Sequence, residues 1–117
     1  MTTVHDPQDF NVGDTWELEF TCHDSLGNIL ALADAAIEWK LDDTTGEINI
    51  LTKTVENGGV VLNVQDGSDG VCLVTVLPEE SEDIEPGFYQ DQLRVVLPGG
   101  FVSTQTKGRI DVKATIK

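Results

Sequence analysis

The sequence predicts an all-β chain folded as an antiparallel sandwich of seven or eight short strands, and three observations carry that expectation. Apolar and polar residues alternate with period two, most clearly where Trp16, Leu18, Phe20 and Cys22 interleave with Glu17, Glu19, Thr21 and His23. Val60-Val61-Leu62 and Val71-Cys72-Leu73-Val74-Thr75-Val76 are rich in β-branched residues, which suit a pleated surface better than a helix. Clusters of Gly, Asn, Asp and Pro recur at 24–28, 42–46, 57–59, 66–70 and 98–100 and cut the chain into strand-sized pieces. A length of 117 residues suits one domain, burying roughly two thirds of its unfolded surface.

Residues 1–8 read as a flexible N-terminal arm and 9–117 as a single β-sandwich domain. A short strand at 9–12 would place Phe10 and Val12 on one side, and Gly13-Asp14-Thr15 turns the chain into the strand of Trp16. The alanine-rich stretch 29–36 permits a helix, but Ile37-Glu38-Trp39-Lys40-Leu41 alternates immediately after it, so a loop leading into a strand is expected. A return strand follows at 47–53, and the two Val-rich strands flank Asp66-Gly67-Ser68-Asp69-Gly70. Ser81 is a candidate cap for one helical turn in the acidic connection 79–85, with Ile84 tucked inward. After Pro86-Gly87-Phe88-Tyr89 one face collects Tyr89, Leu93, Val95 and Leu97, interrupted by Asp91, and Gln90, Gln92 and Arg94 take the other. Short strands at 101–104 and 109–116 close the domain.

The net charge of -14 disfavours nucleic acid and anionic membrane as partners, since both attract cations. The charge is uneven. Arg94, Lys107, Arg109, Lys113 and Lys117 are five of the seven basic residues and share the last 29 positions with only Asp91 and Asp111 as acids. Pairing of neighbouring copies through this contrast competes with simple solvation of a strand's outer face. The N-terminus has neither a basic start nor an apolar run, and no stretch is long enough to span a bilayer, so synthesis in the cytoplasm is expected. In that compartment Cys22 and Cys72, each inside an apolar strand, are expected to stay thiols.

No chemistry-bearing constellation survives its geometry. Cys22-His23-Asp24 imitates a catalytic triad, but successive strand residues point to opposite faces. The loop 66–70 carries oxygen donors without the closing acid of a calcium loop and reads as a hairpin turn. Carboxylates are abundant, yet a glycosidase needs two held across a cleft. No catalytic residue, metal ligand or cofactor is therefore assigned. Trp16, Phe20 and Trp39 sit on apolar faces as core residues, leaving Phe88 and Phe101, beside turns, as interface candidates together with the cations Arg94, Lys107, Arg109 and Lys113.

The order Asp9-Phe10, Gly13-Asp14-Thr15, Ala36-Ile37-Glu38-Trp39, Gly70-Val71 and Pro86-Gly87-Phe88-Tyr89 resembles the small immunoglobulin-like β-sandwich domains of tailed-phage virion proteins. Tyr89 is also placed like the tyrosine corner of sandwich folds, but disulfide-defined immunoglobulin domains carry a cysteine two residues later, where this chain has Asp91. The resemblance implies a non-enzymatic structural component of a virion, in a tail, baseplate, neck or capsid surface. It would be repeated by the particle's symmetry or as a homo-oligomer, and its partners would be other virion proteins. The alternative is an independent ligand-binding module, such as a host-surface carbohydrate-binding domain.

Overall fold

Two sheets bury the alternating apolar positions between them in the computed structural model, which describes residues 3–5 and 8–114. In chain order the elements are β1 (Thr3–Val4), β2 (Gln8–Asn11), β3 (Trp16–Thr21), β4 (Ala36–Asp43), β5 (Asn49–Thr54), β6 (Val60–Leu62), β7 (Val71–Val76), α1 (Pro78–Ser81), β8 (Gly87–Val96) and β9 (Val102–Lys113). The larger sheet runs β5-β4-β8-β9, and β1 and β2 both lie parallel along the far edge of β9. The smaller sheet is β3-β7-β6, all antiparallel. The fold is an immunoglobulin-like β-sandwich.

The core follows the period-two reading. Trp16, Leu18, Phe20, Val74 and Val76 from the smaller sheet meet Ile37, Trp39, Leu41, Leu93, Val95 and Ile110 from the larger one, and all are buried. Each large side chain so removed from water contributes about 1.5–3 kcal/mol. Phe10 stacks on Trp16 with ring centroids 4.9 Å apart, and the Trp16 indole donates to the Asn11 carbonyl at 2.9 Å, so β2 is fixed to the start of β3. Gly13, between them, has φ +84, a left-handed conformation that a side chain resists. The chain from 29 to 35 runs as a loop.

Four local expectations need correction. The two closing strands are one: β9 runs unbroken through residues 105–108, with a bulge opposite Leu93 and Arg94 that takes up the extra residue. Its final expected residues, 115 and 116, lie outside the described residues. Asp91 does not interrupt the inward face of β8 but belongs to it, buried between Tyr89 and Leu93. Ser81 ends the helical turn instead of capping its start. Leu77 is the cap, Pro78 opens the turn, and the buried Ser81 hydroxyl accepts from Gly13 N at 3.0 Å and donates to Asp14 O at 2.7 Å. Of the segment expected as a loose arm, Thr3 and Val4 pair with Thr106 and Lys107, and His5 N donates to Lys107 O at 2.9 Å. Residues 1, 2, 6 and 7 lie outside the described residues.

The tyrosine corner forms. The Tyr89 hydroxyl donates to Glu85 O at 2.6 Å, and burial and the Glu85 carboxylate both push its pKa up. At the opposite edge, Lys53 of β5 points inward and its ammonium pairs with the Glu80 carboxylate of α1, tying the crossover to the larger sheet. Burial works against that carboxylate, yet the hydrogen bonds from Lys53 and Leu77 N and the Lys53 charge outweigh it and hold its pKa below the ordinary value. Because the folded pKa is the lower one, this pair stabilises the fold above the unfolded value of about 4.3 and is lost as pH falls through the folded value. Urea unfolding followed from neutral pH down to about pH 3 should therefore show a steeper acid loss in the wild type than in Glu80→Gln. Parallel acid limbs in the two proteins would contradict the pairing.

Candidate functional site

The buried polar groups explain the interior before any surface can be judged. Asp91 has a fully buried side chain, and both carboxylate oxygens are occupied: Trp39 Nε1 donates to Oδ2 at 2.9 Å, and His5 Nε2 lies 2.5 Å from Oδ1. The imidazole reaches it because Gly108 stands directly opposite Asp91 on β9, and a Cβ at 108 would collide with the His5 ring. His5 also tilts against Phe20, with ring centroids 6.2 Å apart, so it closes the open edge between the sheets. Gln105, the bulge residue, turns inward. Its Oε1 accepts from His23 N at 2.9 Å and its Nε2 donates to Ser103 Oγ at 2.8 Å, crossing from β9 to the loop after β3.

Cys22 and Cys72 are free, buried thiols on the inward side of the smaller sheet. The contact with Cys22 and burial both push the Cys72 pKa up, so it is a poor nucleophile. His23 backs onto Cys22 from the other face, as strand alternation requires, and its backbone bridges to Ile29. In the loop 66–70 the Asp66 carboxylate accepts from Ser68 N at 3.0 Å, which lowers its pKa, and Asp69 accepts from Asn63 Nδ2 at 2.8 Å. These carboxylates are spent on turn geometry. Among the described residues, no group of three or more His, Cys, Asp or Glu side chains converges.

What remains for partners is the surface, and its outstanding feature is the outer face of the larger sheet. Lys40, Arg94, Lys107 and Arg109 alternate with the buried residues of β4, β8 and β9 and therefore all point outward. Gln92 is flanked by Lys40 on one side and Lys107 on the other, with Arg94 next along β8. Phe88 projects from the same face, 63% exposed, and the Arg109 guanidinium lies over its ring at 5.2 Å while Nε pairs with Asp111 Oδ1 at 2.8 Å. Lys113 sits at the end of β9 with Asp9 3.8 Å away. Phe101, 53% exposed, lies in the β8–β9 turn at the other end of this long hairpin.

The sequence candidates thus divide. Phe88, Arg109, Arg94 and Lys107 share one face, while Phe101 and Lys113 mark its two ends. A groove of about 360 Å³ opens at the Phe101 end, lined by Ala36, Glu38, Val55, Arg94 and Val96 among others. Sequence reasoning missed Asp91, His5, Lys53 and Gln105 as interior partners. One signal was available for Asp91: a lone acid in an otherwise apolar stripe needs a buried donor, and Trp39 supplies one.

No family model matches this sequence, and no curated protein matches it either. Among solved structures the chain is similar to the crystal structure of CopC from Methylosinus trichosporium OB3b, with a TM-score of 0.50 and 12% sequence identity over 94% of this chain and 86% of that one. At that identity the likeness speaks to the fold, which is a β-sandwich in both.

Asp91→Ala removes the acceptor of a buried indole N–H and the contact that the carboxylate makes with His5. A loss of about 3–5 kcal/mol in urea unfolding is expected. A loss below about 1 kcal/mol would contradict this reading of the network.

Proposed function

We propose that this chain is a non-enzymatic structural component of a tailed-phage virion, made in the host cytoplasm, whose work is protein–protein contact in a tail, baseplate, neck or capsid surface. The observation that carries the contact reading is the division between interior and surface. The titratable groups inside the sandwich are engaged with one another, whereas the outer face of the larger sheet presents cations and Phe88 to solvent on a protein of net charge -14. Such a face suits an acidic protein surface, and repetition within a particle makes individually weak contacts effective. The virion assignment rests on the resemblance carried by Gly13-Asp14-Thr15, Ala36-Ile37-Glu38-Trp39 and Pro86-Gly87-Phe88-Tyr89.

A second reading, a module that binds host-surface sugar, draws on the exposed Phe88 ring, since pyranose rings stack on aromatic faces. Arg109 already covers one side of that ring. Saturable binding on a glycan panel that Phe88→Ala abolishes would favour this reading over the first.

Phe101→Asp and Arg109→Glu alter exposed side chains and should leave the isolated domain folded, with an unchanged thermal midpoint. Copies per particle, counted after purification of particles assembled with each variant, should fall severalfold. Wild-type copy numbers for both variants would count against the contact reading.

A further inference from the structure

We propose that the outer face of the larger sheet docks on the outer face of the smaller sheet of a second copy, so that copies associate head to tail. This names the partner in the contact reading above and rests on it. The two outer faces of the sandwich differ in charge. Of the described basic side chains, Lys53 is buried and the other five, Lys40, Arg94, Lys107, Arg109 and Lys113, all belong to strands of the larger sheet. The strands of the smaller sheet contain no cation. Their only charged residues are Glu17 and Glu19, both exposed on β3.

Local pairing sharpens the contrast. Lys40 has Glu38 at 3.4 Å, Arg109 has Asp111, and Lys113 has Asp9. Arg94 and Lys107 form no ion pair among the described residues, with Glu38 standing opposite Arg94 on β4 but bound to Lys40. Arg94 and Lys107 flank Gln92 near the centre of the face, and a cleft of about 90 Å³ beside Lys107 is lined also by Gln92 and Asp42. On the acidic side, Glu17 and Glu19 are alternate residues of one strand and stand about 6.7 Å apart. Two long, flexible cations on adjacent strands can meet that spacing.

The acidic face also carries apolar area. Glu19 lies opposite Leu73, which lies opposite Val61, and Thr21 lies opposite Val71. Val61 is exposed, and Val71 and Leu73 are half-buried. This short apolar strip flanked by carboxylates would meet the aliphatic stems of Lys107 and Arg94 and the side chain of Gln92. Two strands of six residues and one of three cover at most roughly 14 by 20 Å, well below the ~800 Å² per partner of a stable interface. The contact is therefore weak per copy, strongly salt-dependent, and effective through repetition. Because the two patches are different surfaces, one contact leaves each copy with a free face of the opposite kind, and the assembly closes as a ring or continues as a filament.

Light scattering on the full chain tests this at about 10 mM and about 500 mM salt. The average mass should rise with protein concentration at low salt and return to the monomer at high salt. Arg94→Gln with Lys107→Gln should abolish association, and so should Glu17→Gln with Glu19→Gln, while both proteins keep the wild-type melting curve. An equimolar mixture of the two variants should form a two-copy complex and nothing larger, because each supplies the face the other lacks. A wild type that stays monomeric at low salt, or association that survives either double substitution, overturns the proposal. If Phe101→Asp still lowers incorporation into particles in that case, the contact reading stands with another virion protein as partner. If incorporation is also normal, both fail.

Discussion

A buried carboxylate organises this sandwich. Asp91 lies at the centre of the larger sheet with its side chain sealed from water, and a charge in that position is tolerated only when hydrogen bonds replace its lost hydration. Trp39 from the neighbouring strand supplies one bond, and His5 from the N-terminal segment supplies the other contact. The need to satisfy one side chain therefore links β4, β8 and the start of the chain. It also accounts for Gly108, since any larger residue opposite Asp91 would occupy the space of the imidazole. In disulfide-bonded immunoglobulin domains a tryptophan on the corresponding strand packs on the bridge between the sheets. Here Trp39 donates to a buried acid instead, and the two cysteines lie on the opposite sheet as thiols.

The same economy governs the rest of the polar interior. Lys53 and Glu80 join the free edge of the larger sheet to the crossover, Ser81 joins that crossover to the turn before β3, and Gln105 joins the bulge in β9 to the loop after β3. Each spans a junction where backbone ladders stop, and each fixes a loop that alternation alone would leave without a position. The interior acids, bases and thiols are thereby committed to architecture. What the molecule offers to others is its outside, with the cations gathered on one sheet and the smaller sheet carrying carboxylates only.

Much of the fold was legible because it depends on period-two patterning and turn chemistry, both local. Trp16, Leu18, Phe20 and Trp39 were readable as core from their neighbours alone, and Tyr89 from its junction. The failures share a cause. Asp91 looked like a break in an apolar stripe because its partners are 52 and 86 residues away, and the pairing of Lys53 with Glu80 joins residues 27 apart that no local pattern connects. The unity of β9 was hidden by Gly108 and by the polar run around Gln105, which interrupt the apolar alternation and are explained by a ring and a loop from distant segments. For the surface, sequence could gather the cations at the C-terminal end but could not show that Lys40, Arg94, Lys107 and Arg109 face the same way. That follows from the register of β4, β8 and β9.

The most direct test of the buried carboxylate is the exchange of the Trp39 indole proton with solvent deuterium, followed by NMR in the wild type and in His5→Ala. Protection approaching that of the slowest core amides is expected in the wild type, with exchange at least about tenfold faster once the imidazole is gone and water reaches Asp91. An indole proton that exchanges freely in the wild type, or at the same protected rate in both proteins, would contradict the role given to this network.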